Sequence, residues 1–171
     1  ISPDGQVSAS YQKVHLFDIE LEGERPIRES DVFHHGSGAA SIDVSDWKFG
    51  QTICYDLRFS ELFSLYAKQG VHAIVVPSAF LPKTGEAHWH VLLRARAIES
   101  QCYVIAAAQA GVHESASGRR ETYGHSLVVD PWGRVIAEAS ADRPEALIVH
   151  LDKSEIAKVR RQIPMSQHRR L

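Results

Sequence analysis

The spacing of apolar residues changes several times along the chain and predicts alternating strands and helices. Short, mostly apolar runs predict the first strands, over 7–14, 47–54, 71–77 and 103–108. The third of these runs is almost continuously apolar, which is typical of a strand covered on both faces. Helices are predicted where apolar residues recur three or four positions apart or helix-forming residues dominate, over 59–69 and 87–100. This strand–helix–strand order predicts an α/β fold.

The last third of the chain has a different pattern, which predicts an antiparallel hairpin followed by a short helix. Strands are predicted over 126–129 and 134–137, on either side of an Asp-Pro-Trp-Gly sequence that suits a type I turn. A further strand is predicted over 146–151 and a helix over 153–162. Between the first two strands of the chain, the polar segment 18–40 predicts a long loop. The sheet is therefore expected to be mixed.

The composition agrees with one globular domain over residues 1–171. Of the 171 residues, 44% are hydrophobic and 23% are charged, and the formal net charge is -2. This net charge does not indicate a nucleic-acid or membrane partner. No apolar run is long enough to predict a transmembrane helix. Two cysteines make no disulfide framework, so we expect a reducing, cytoplasmic setting. Because the chain opens in a turn without an initiator methionine, we expect a piece of a larger domain, shortened at the N-terminus; the family resemblance described below implies a slight shortening at the C-terminus as well.

Cys54 is the strongest candidate for chemistry in this sequence. It lies at the predicted end of a strand and a few residues before a helix, a turn that often exposes the nucleophile of an α/β enzyme. Backbone N–H groups at the start of the helix could bind an oxyanion there. The alternative is a small buried hydrophobic residue, which describes most free cysteines and is the better interpretation of Cys102, inside a strand pattern.

Three charged residues near these elements have two interpretations each. Lys13, in an otherwise apolar segment, could stabilise a developing negative charge or could simply lie at a strand edge with its amine in water. Glu29 could be catalytic, or it could be one of several solvated carboxylates of the long loop. Arg58 could bind a substrate carboxylate, or it could form an ion pair with Glu61 three positions later.

No metal site and no organic cofactor is predicted. The adjacent pair His34 and His35, and the pair His88 and His90, lack the spacing that puts two imidazoles on one helix face. The sequence has no CxxC pair, no P-loop and no glycine-rich dinucleotide motif. A histidine metal site therefore remains only a weak alternative.

Several motifs, taken in order, resemble the nitrilase superfamily of carbon–nitrogen hydrolases. Residues 11–18 (YQKVHLFD) resemble its lysine motif YRKxHLFD, and 54–62 (CYDLRFSEL) its nucleophile motif CYDxRFPEL, with Ser60 in place of the usual proline. Residues 84–99 match its helix signature. Residues 123–133 (YGHSLVVDPWG) match its late hairpin. The resemblance extends over essentially the whole chain.

The resemblance implies a fold and a set of site residues. The family fold is a four-layer αββα sandwich, of which this chain would be an incomplete C-terminal portion. The family's lysine, second glutamate and nucleophile fall on Lys13, Glu29 and Cys54. Its general-base glutamate belongs to a segment ahead of the lysine motif, for which this sequence has no match. The substrate-binding residues that we expect are Tyr55, through its backbone N–H, Arg58, Ala79 and Phe80.

The resemblance also implies an activity, namely hydrolysis of a non-peptide amide through a cysteine thioester, with release of ammonia. The segments 101–109 and 123–125 look most like the deaminated-glutathione amidase branch and next like the omega-amidase branch. Both branches act on an amide of a 2-oxo acid, so a small-molecule amide is the expected partner, and family members usually form homodimers. We expect this chain alone to be inactive. The alternatives are a non-catalytic partner with the same fold and a thiol redox sensor that uses Cys54.

Overall fold

A computed structural model describes residues 1–20, 22, 26–115 and 118–170, and most of its strands form one mixed sheet. In chain order the strands are β1 (Asp18–Ile19), β2 (Ile27–Arg28), β3 (Ala40–Val44), β4 (Trp47–Gln51), β5 (Ala73–Val75), β6 (Tyr103–Ala106), β7 (Ala110–Ser115), β8 (Gly118–Tyr123), β9 (Leu127–Val129) and β10 (Val135–Glu138). The helices are α1 (Ser60–Lys68), α2 (Pro82–Ser100), α3 (Lys153–Gln162) and α4 (Met165–His168), with 3₁₀ turns at Glu29–Asp31 and Cys54–Arg58.

The main sheet has six strands in the order β10-β9-β6-β5-β4-β3. Strands β4, β5 and β6 run parallel, whereas β3, β9 and β10 pair antiparallel with their neighbours. Helices α1 and α2 provide the long crossovers that parallel strands require. The predicted mixed sheet is therefore confirmed, with its parallel strands at the centre, where both faces can be covered.

Aromatic side chains from α1 and α2 fill the core against one face of this sheet. Phe63, Tyr66 and Trp89 are all fully buried. The Tyr66 hydroxyl accepts a hydrogen bond from the Ala40 amide at 3.1 Å and donates to the carbonyl oxygens of strands β3 and β4, so it ties the sheet edge to α1. A Cβ atom on Gly50 would lie 2.8 Å from the Tyr66 ring, which explains the absence of a side chain there.

The opposite face of the sheet carries a smaller apolar cluster under α3. Ala73, Tyr103 and Ile156 are buried in it. Asp152 caps α3 by accepting a hydrogen bond from the Ser154 amide at 2.7 Å. Within the described part of the chain, no helix has both the length and the apolar character needed to cross a membrane.

Four of the predicted elements agree closely with the structure. The helix predicted over 59–69 forms as α1 and ends before Gly70, which has the left-handed φ of +70° that suits a glycine cap. Helix α3 has the predicted bounds. The type I turn forms as well, because the Gly133 amide donates to the Asp130 carbonyl at 2.9 Å. The strand predicted over 71–77 forms as the shorter β5, in the parallel centre.

Two predicted strands do not form. Residues 7–14 and 146–151 contain no strand, although both have suitable apolar residues. A strand also needs a neighbouring strand that completes its backbone hydrogen bonds. The composition of a segment does not show whether such a strand is present. In the first segment, the Val14 amide donates to the Tyr11 hydroxyl at 3.3 Å and the Lys13 carbonyl accepts from the Gly36 amide at 2.8 Å, and these bonds form no ladder. In the second, Ile148 is 98% exposed.

Other boundaries differ because of local turns. The strand predicted over 47–54 ends at Gln51, since the backbone turns into a 3₁₀ helix at Cys54. Helix α2 begins at Pro82 rather than at residue 87, with the proline in the first turn, where its missing N–H costs little. The predicted strand over 103–108 ends at Ala106 as β6. The predicted loop over 18–40 contains the short pair β1 and β2.

The sequence analysis missed β3 and the hairpin of β7 and β8. Strand β3 pairs along its whole length with β4. The hairpin pairs from Ala110 with Tyr123 to Ser115 with Gly118, outside the main sheet. Its strands are largely polar, so they have no apolar period that would mark them.

Candidate active site

Cys54 lies where the chain turns sharply after β4. The Cys54 amide donates to the Pro77 carbonyl at 2.9 Å, which extends the contact between β4 and β5 past the ends of both strands. At Cys54 itself the backbone has a φ of +49°, a left-handed conformation that non-glycine residues adopt at some cost. The residue then starts the 3₁₀ helix, and its side chain remains partly exposed. The sequence prediction of a strand-to-helix turn at this cysteine is therefore close to the structure.

The buried carboxylate of Asp56 holds this turn in place. One of its oxygens accepts hydrogen bonds from the Ile53 amide at 2.9 Å and from the Tyr11 hydroxyl at 2.7 Å. The other accepts from the His15 amide at 2.9 Å and lies 2.8 Å from Nδ1 of the His15 ring. Burial, and then the hydrogen bond to Asp56, raise the pKa of Tyr11 above its usual range. Asp56 thus joins the turn at Cys54 to the segment that carries Lys13.

Lys13 and Glu29 form an ion pair. Glu29 also accepts a hydrogen bond from the Phe17 amide at 2.8 Å, and the Lys13 carbonyl accepts one from the Gly36 amide at 2.8 Å. Only 12% of the Lys13 side chain is exposed, so its ammonium group has little contact with water. Of the two interpretations of Lys13, the structure therefore excludes an amine that extends freely into solvent.

Lys13, Glu29 and Cys54 line one cavity of about 550 Å³. Its floor and walls come from the residues that follow the parallel strands, including Ser78 after β5 and Ala108 after β6. The carboxyl ends of parallel strands meet at one edge of a sheet, and this edge commonly binds ligands. The structure therefore brings the three residues together on the ligand-binding side of the sheet.

The four expected substrate-binding residues surround a smaller space next to Cys54. Tyr55, Arg58, Ala79 and Phe80 all line it. The Arg58 guanidinium lies 5.8 Å from the centre of the Tyr55 ring and 5.2 Å from that of the Phe80 ring, within the range of cation–π attraction.

Arg58 does not pair with Glu61 in the described part of the chain. Its Nη1 lies 3.2 Å from Nδ1 of His88 instead. Because Arg58 belongs to the 3₁₀ helix and α1 begins only at Ser60, the two residues do not share one α-helical face. The Arg58 guanidinium therefore does not form the alternative ion pair with the Glu61 carboxylate.

Arg120 is a site residue that the sequence analysis missed. It lies on β8, its Nη2 donates to the Ala79 carbonyl at 3.1 Å, and it lines the cavity with Cys54. Ser126 also lines the cavity and exchanges hydrogen bonds with the backbone of Ala108. Local sequence gave no sign of either contact, because the first depends on where the β7–β8 hairpin lies and the second on the pairing of β6 with β9.

Cys102 is part of the core, as predicted. It is fully buried, and desolvation raises the pKa of its thiol to about 12. Two arginines of α2 bond to backbone carbonyl groups of other segments. Arg94 donates to the Gly133 carbonyl at 2.7 Å, and the buried Arg96 donates to the Leu57 carbonyl at 2.8 Å. Arg96 thereby supports the 3₁₀ helix that begins with Cys54.

Comparison with known proteins gives a consistent set of relatives. The model of the family described as carbon-nitrogen hydrolase matches residues 1–161. A curated relative, the deaminated glutathione amidase of Bos taurus, is 47% identical over 167 residues, which cover 97% of this chain and 50% of the relative. The chain thus spans about half the length of the curated relatives it matches.

Two solved structures share the fold. The NitFhit protein of Caenorhabditis elegans is 43% identical with a TM-score of 0.84, over 98% of this chain and 40% of that one. Saccharomyces cerevisiae Nit3, described as a member of branch 10 of the nitrilase superfamily, is 38% identical with a TM-score of 0.82, over 98% and 57% of the two chains. The expected nitrilase fold is therefore confirmed.

The two thiols are predicted to differ strongly in reactivity. With a small alkylating agent such as iodoacetamide at mildly alkaline pH, the native protein should be modified at Cys54 and not at Cys102. The reason is that Cys54 is partly exposed in a cavity, whereas Cys102 is fully buried with a raised pKa. Peptide mass spectrometry checks the position, and a denatured control should be modified at both residues. Comparable native rates at the two cysteines would contradict the described burial.

Proposed function

The chain belongs to the carbon-nitrogen hydrolase family, and we propose that it hydrolyses an amide bond through a thioester formed on Cys54. The observation that carries this proposal is the shared cavity of Cys54, Lys13 and Glu29. A partly exposed thiol, an ammonium group and a carboxylate in one cavity are among the groups that acyl transfer to a thiol requires.

The reaction proceeds in two halves. The Cys54 thiolate attacks the amide carbon, and the tetrahedral intermediate collapses when its nitrogen gains a proton and leaves as ammonia. The remaining acyl group is bound to Cys54 as a thioester, which water hydrolyses to release the carboxylic acid and restore the thiol. The proton acceptor for Cys54 is a glutamate that the family pattern places ahead of the lysine motif.

Lys13 stabilises the oxyanion that forms on the amide oxygen. In this proposal its ammonium group is one donor of the oxyanion hole. The backbone N–H of Tyr55 is the second donor. Glu29 keeps Lys13 positioned through the ion pair, while its bond to the Phe17 amide fixes the carboxylate itself. Glu29 is thus a positioning residue in the acylation half of the reaction.

The substrate is a small amide that also carries a carboxylate. Arg120 lines the larger cavity and Arg58 lines the smaller one, and Cys54 lines both. Guanidinium groups bind carboxylates with two parallel hydrogen bonds. A 2-oxo-acid amide such as deaminated glutathione fits this arrangement, and the named activity of the curated relatives supports it.

A non-catalytic binding module is the second candidate function. Among the described residues that line the cavity, Glu29 is the one carboxylate, and it is engaged with Lys13 and the Phe17 amide. The cavity could therefore bind an amide without activating the thiol. This candidate predicts substrate binding without ammonia release.

We propose that the protein forms a homodimer and that it is located in the cytoplasm. Both cysteines are free thiols, which suits a reducing compartment. Apolar side chains on the outer surfaces of α1 and α2 support self-association: Leu65 is 46% exposed and Val91 is 68% exposed.

A covalent intermediate is the expected signature of the reaction. Incubation of a 2-oxo-acid amide with protein that carries the general-base glutamate ahead of the lysine motif should release ammonia and give an intact mass increased by the acyl group, because the thioester forms at Cys54. The variant Cys54→Ala should lose both signals, and the control Cys102→Ala should keep them, since Cys102 is remote in the core. An acyl adduct that persists in Cys54→Ala contradicts the mechanism, and tight binding with no ammonia favours the second candidate.

Arg120 is predicted to select substrates that carry a carboxylate. The variant Arg120→Ala should raise KM for such an amide by about tenfold or more, because a charge-assisted hydrogen bond contributes about 1.5–3 kcal/mol. Arg119→Ala is the matched control, since neighbouring residues of a strand point to opposite faces. Steady-state kinetics on a neutral amide of similar size should show no difference between the two variants. Equal effects of both arginines on KM would refute this role.

A further inference from the structure

Two histidines and a glutamate converge outside the active-site cavity. His90 lies on α2, His125 between β8 and β9, and Glu138 on β10. The Oε1 atom of Glu138 lies 2.9 Å from Nε2 of His90 and 2.7 Å from Nδ1 of His125. Across the described residues, this is the group of three potential ligands whose donor atoms all lie within 4.8 Å of one another.

The backbone around each of these side chains is well supported. The His125 carbonyl accepts a hydrogen bond from the Trp89 indole at 2.8 Å, and Trp89 is fully buried. Glu138 pairs with Leu127 in the ladder between β10 and β9. The Tyr123 ring packs on the His125 ring with 4.5 Å between their centres. Three separate elements therefore hold the donor atoms, as a built metal site requires.

We propose that His90, His125 and Glu138 bind a divalent transition-metal ion, for which Zn²⁺ is the best match. Two imidazoles and one carboxylate are a known zinc ligand set, in which a fourth, open position takes water. Bond lengths of about 2.0–2.1 Å in a tetrahedron place ligand atoms about 3.3 Å apart. The observed separations from the Glu138 oxygen are shorter by roughly half an ångström, so small side-chain rotations would admit the ion.

The donor atoms of the cluster also suit a metal cation. Glu138 offers a carboxylate oxygen, and His90 and His125 each offer an imidazole nitrogen, which are donor types that divalent transition metals bind. About a third of each side chain is exposed, at 32% for His90, 29% for His125 and 35% for Glu138, which leaves a path for the ion from solvent.

The local sequence could not show this site. His90 has His88 as its nearest histidine, and His88 contacts Arg58 instead of joining the cluster. The ligands that do join it come from the hairpin region much later in the chain. A bound ion would link α2 to β10 next to Ser126, which lines the active-site cavity. It would thus stabilise one wall of that cavity.

Cobalt titration of the chelator-treated protein tests the site. We expect one Co²⁺ per chain with visible d–d absorption, and no sulfur-to-cobalt charge-transfer band, because the ligand set contains no thiolate. Zn²⁺ should displace the Co²⁺ and raise the unfolding temperature, since a ligand that binds only the folded state stabilises it. No saturable binding, or a charge-transfer band that places the ion on Cys54, would overturn the proposal.

Variants distinguish this cluster from other histidines. His125→Asn and the nearly isosteric Glu138→Gln should each weaken Zn²⁺ binding by about tenfold or more, whereas the matched control His88→Asn on the same helix should not. His90→Cys should keep the ion and gain the charge-transfer band, a positive signal that a merely unstable variant cannot produce. Unchanged affinity in His125→Asn and Glu138→Gln, or no band in His90→Cys, would contradict the assignment.

Discussion

The buried carboxylate of Asp56 is the constraint on which the candidate active site depends. A carboxylate with no exposed surface must receive hydrogen bonds, because leaving it unpaired would cost several kcal/mol. Its donors come from two segments that are far apart in sequence, the turn that carries Cys54, at Ile53, and the segment that carries Lys13, at Tyr11 and His15. Satisfying one buried charge therefore places Cys54 and Lys13 on the same cavity.

The sheet determines where that cavity lies. Strands β4, β5 and β6 are parallel, so the residues that follow them emerge at one edge. Cys54, Ser78 and Ala108 each follow one of these strands, and all three line the cavity. The hairpin of β7 and β8 then adds Arg120 from outside the main sheet. The parallel centre thus positions Cys54, the proposed nucleophile, and a peripheral hairpin supplies Arg120, the proposed contact with the substrate carboxylate.

The sequence analysis predicted the elements that local patterns determine. It failed for elements and contacts that depend on residues distant in sequence. Helix α3 was predicted because its apolar spacing and its limits are local, and the left-handed Gly70 marks the end of α1 for the same reason. Residues 7–14 have the composition of a strand, but none of the described strands pairs with them, and the Tyr11 side chain bonds to Asp56 instead. Arg120 and the cluster around Glu138 depend on three-dimensional proximity alone. The family motifs pointed to Lys13, Glu29 and Cys54, while the contact that unites the lysine and cysteine segments appeared only in the structure.

The most direct test of this account is a double-mutant cycle of unfolding free energies between Tyr11→Phe and Asp56→Ala. The account predicts a coupling energy of about 1 kcal/mol or more, because residues of one hydrogen-bond network are not additive. The destabilisation by Tyr11→Phe should then largely disappear once Asp56 is absent. Additive effects, within about 0.3–0.5 kcal/mol, would contradict the claim that Asp56 joins the two segments of the site.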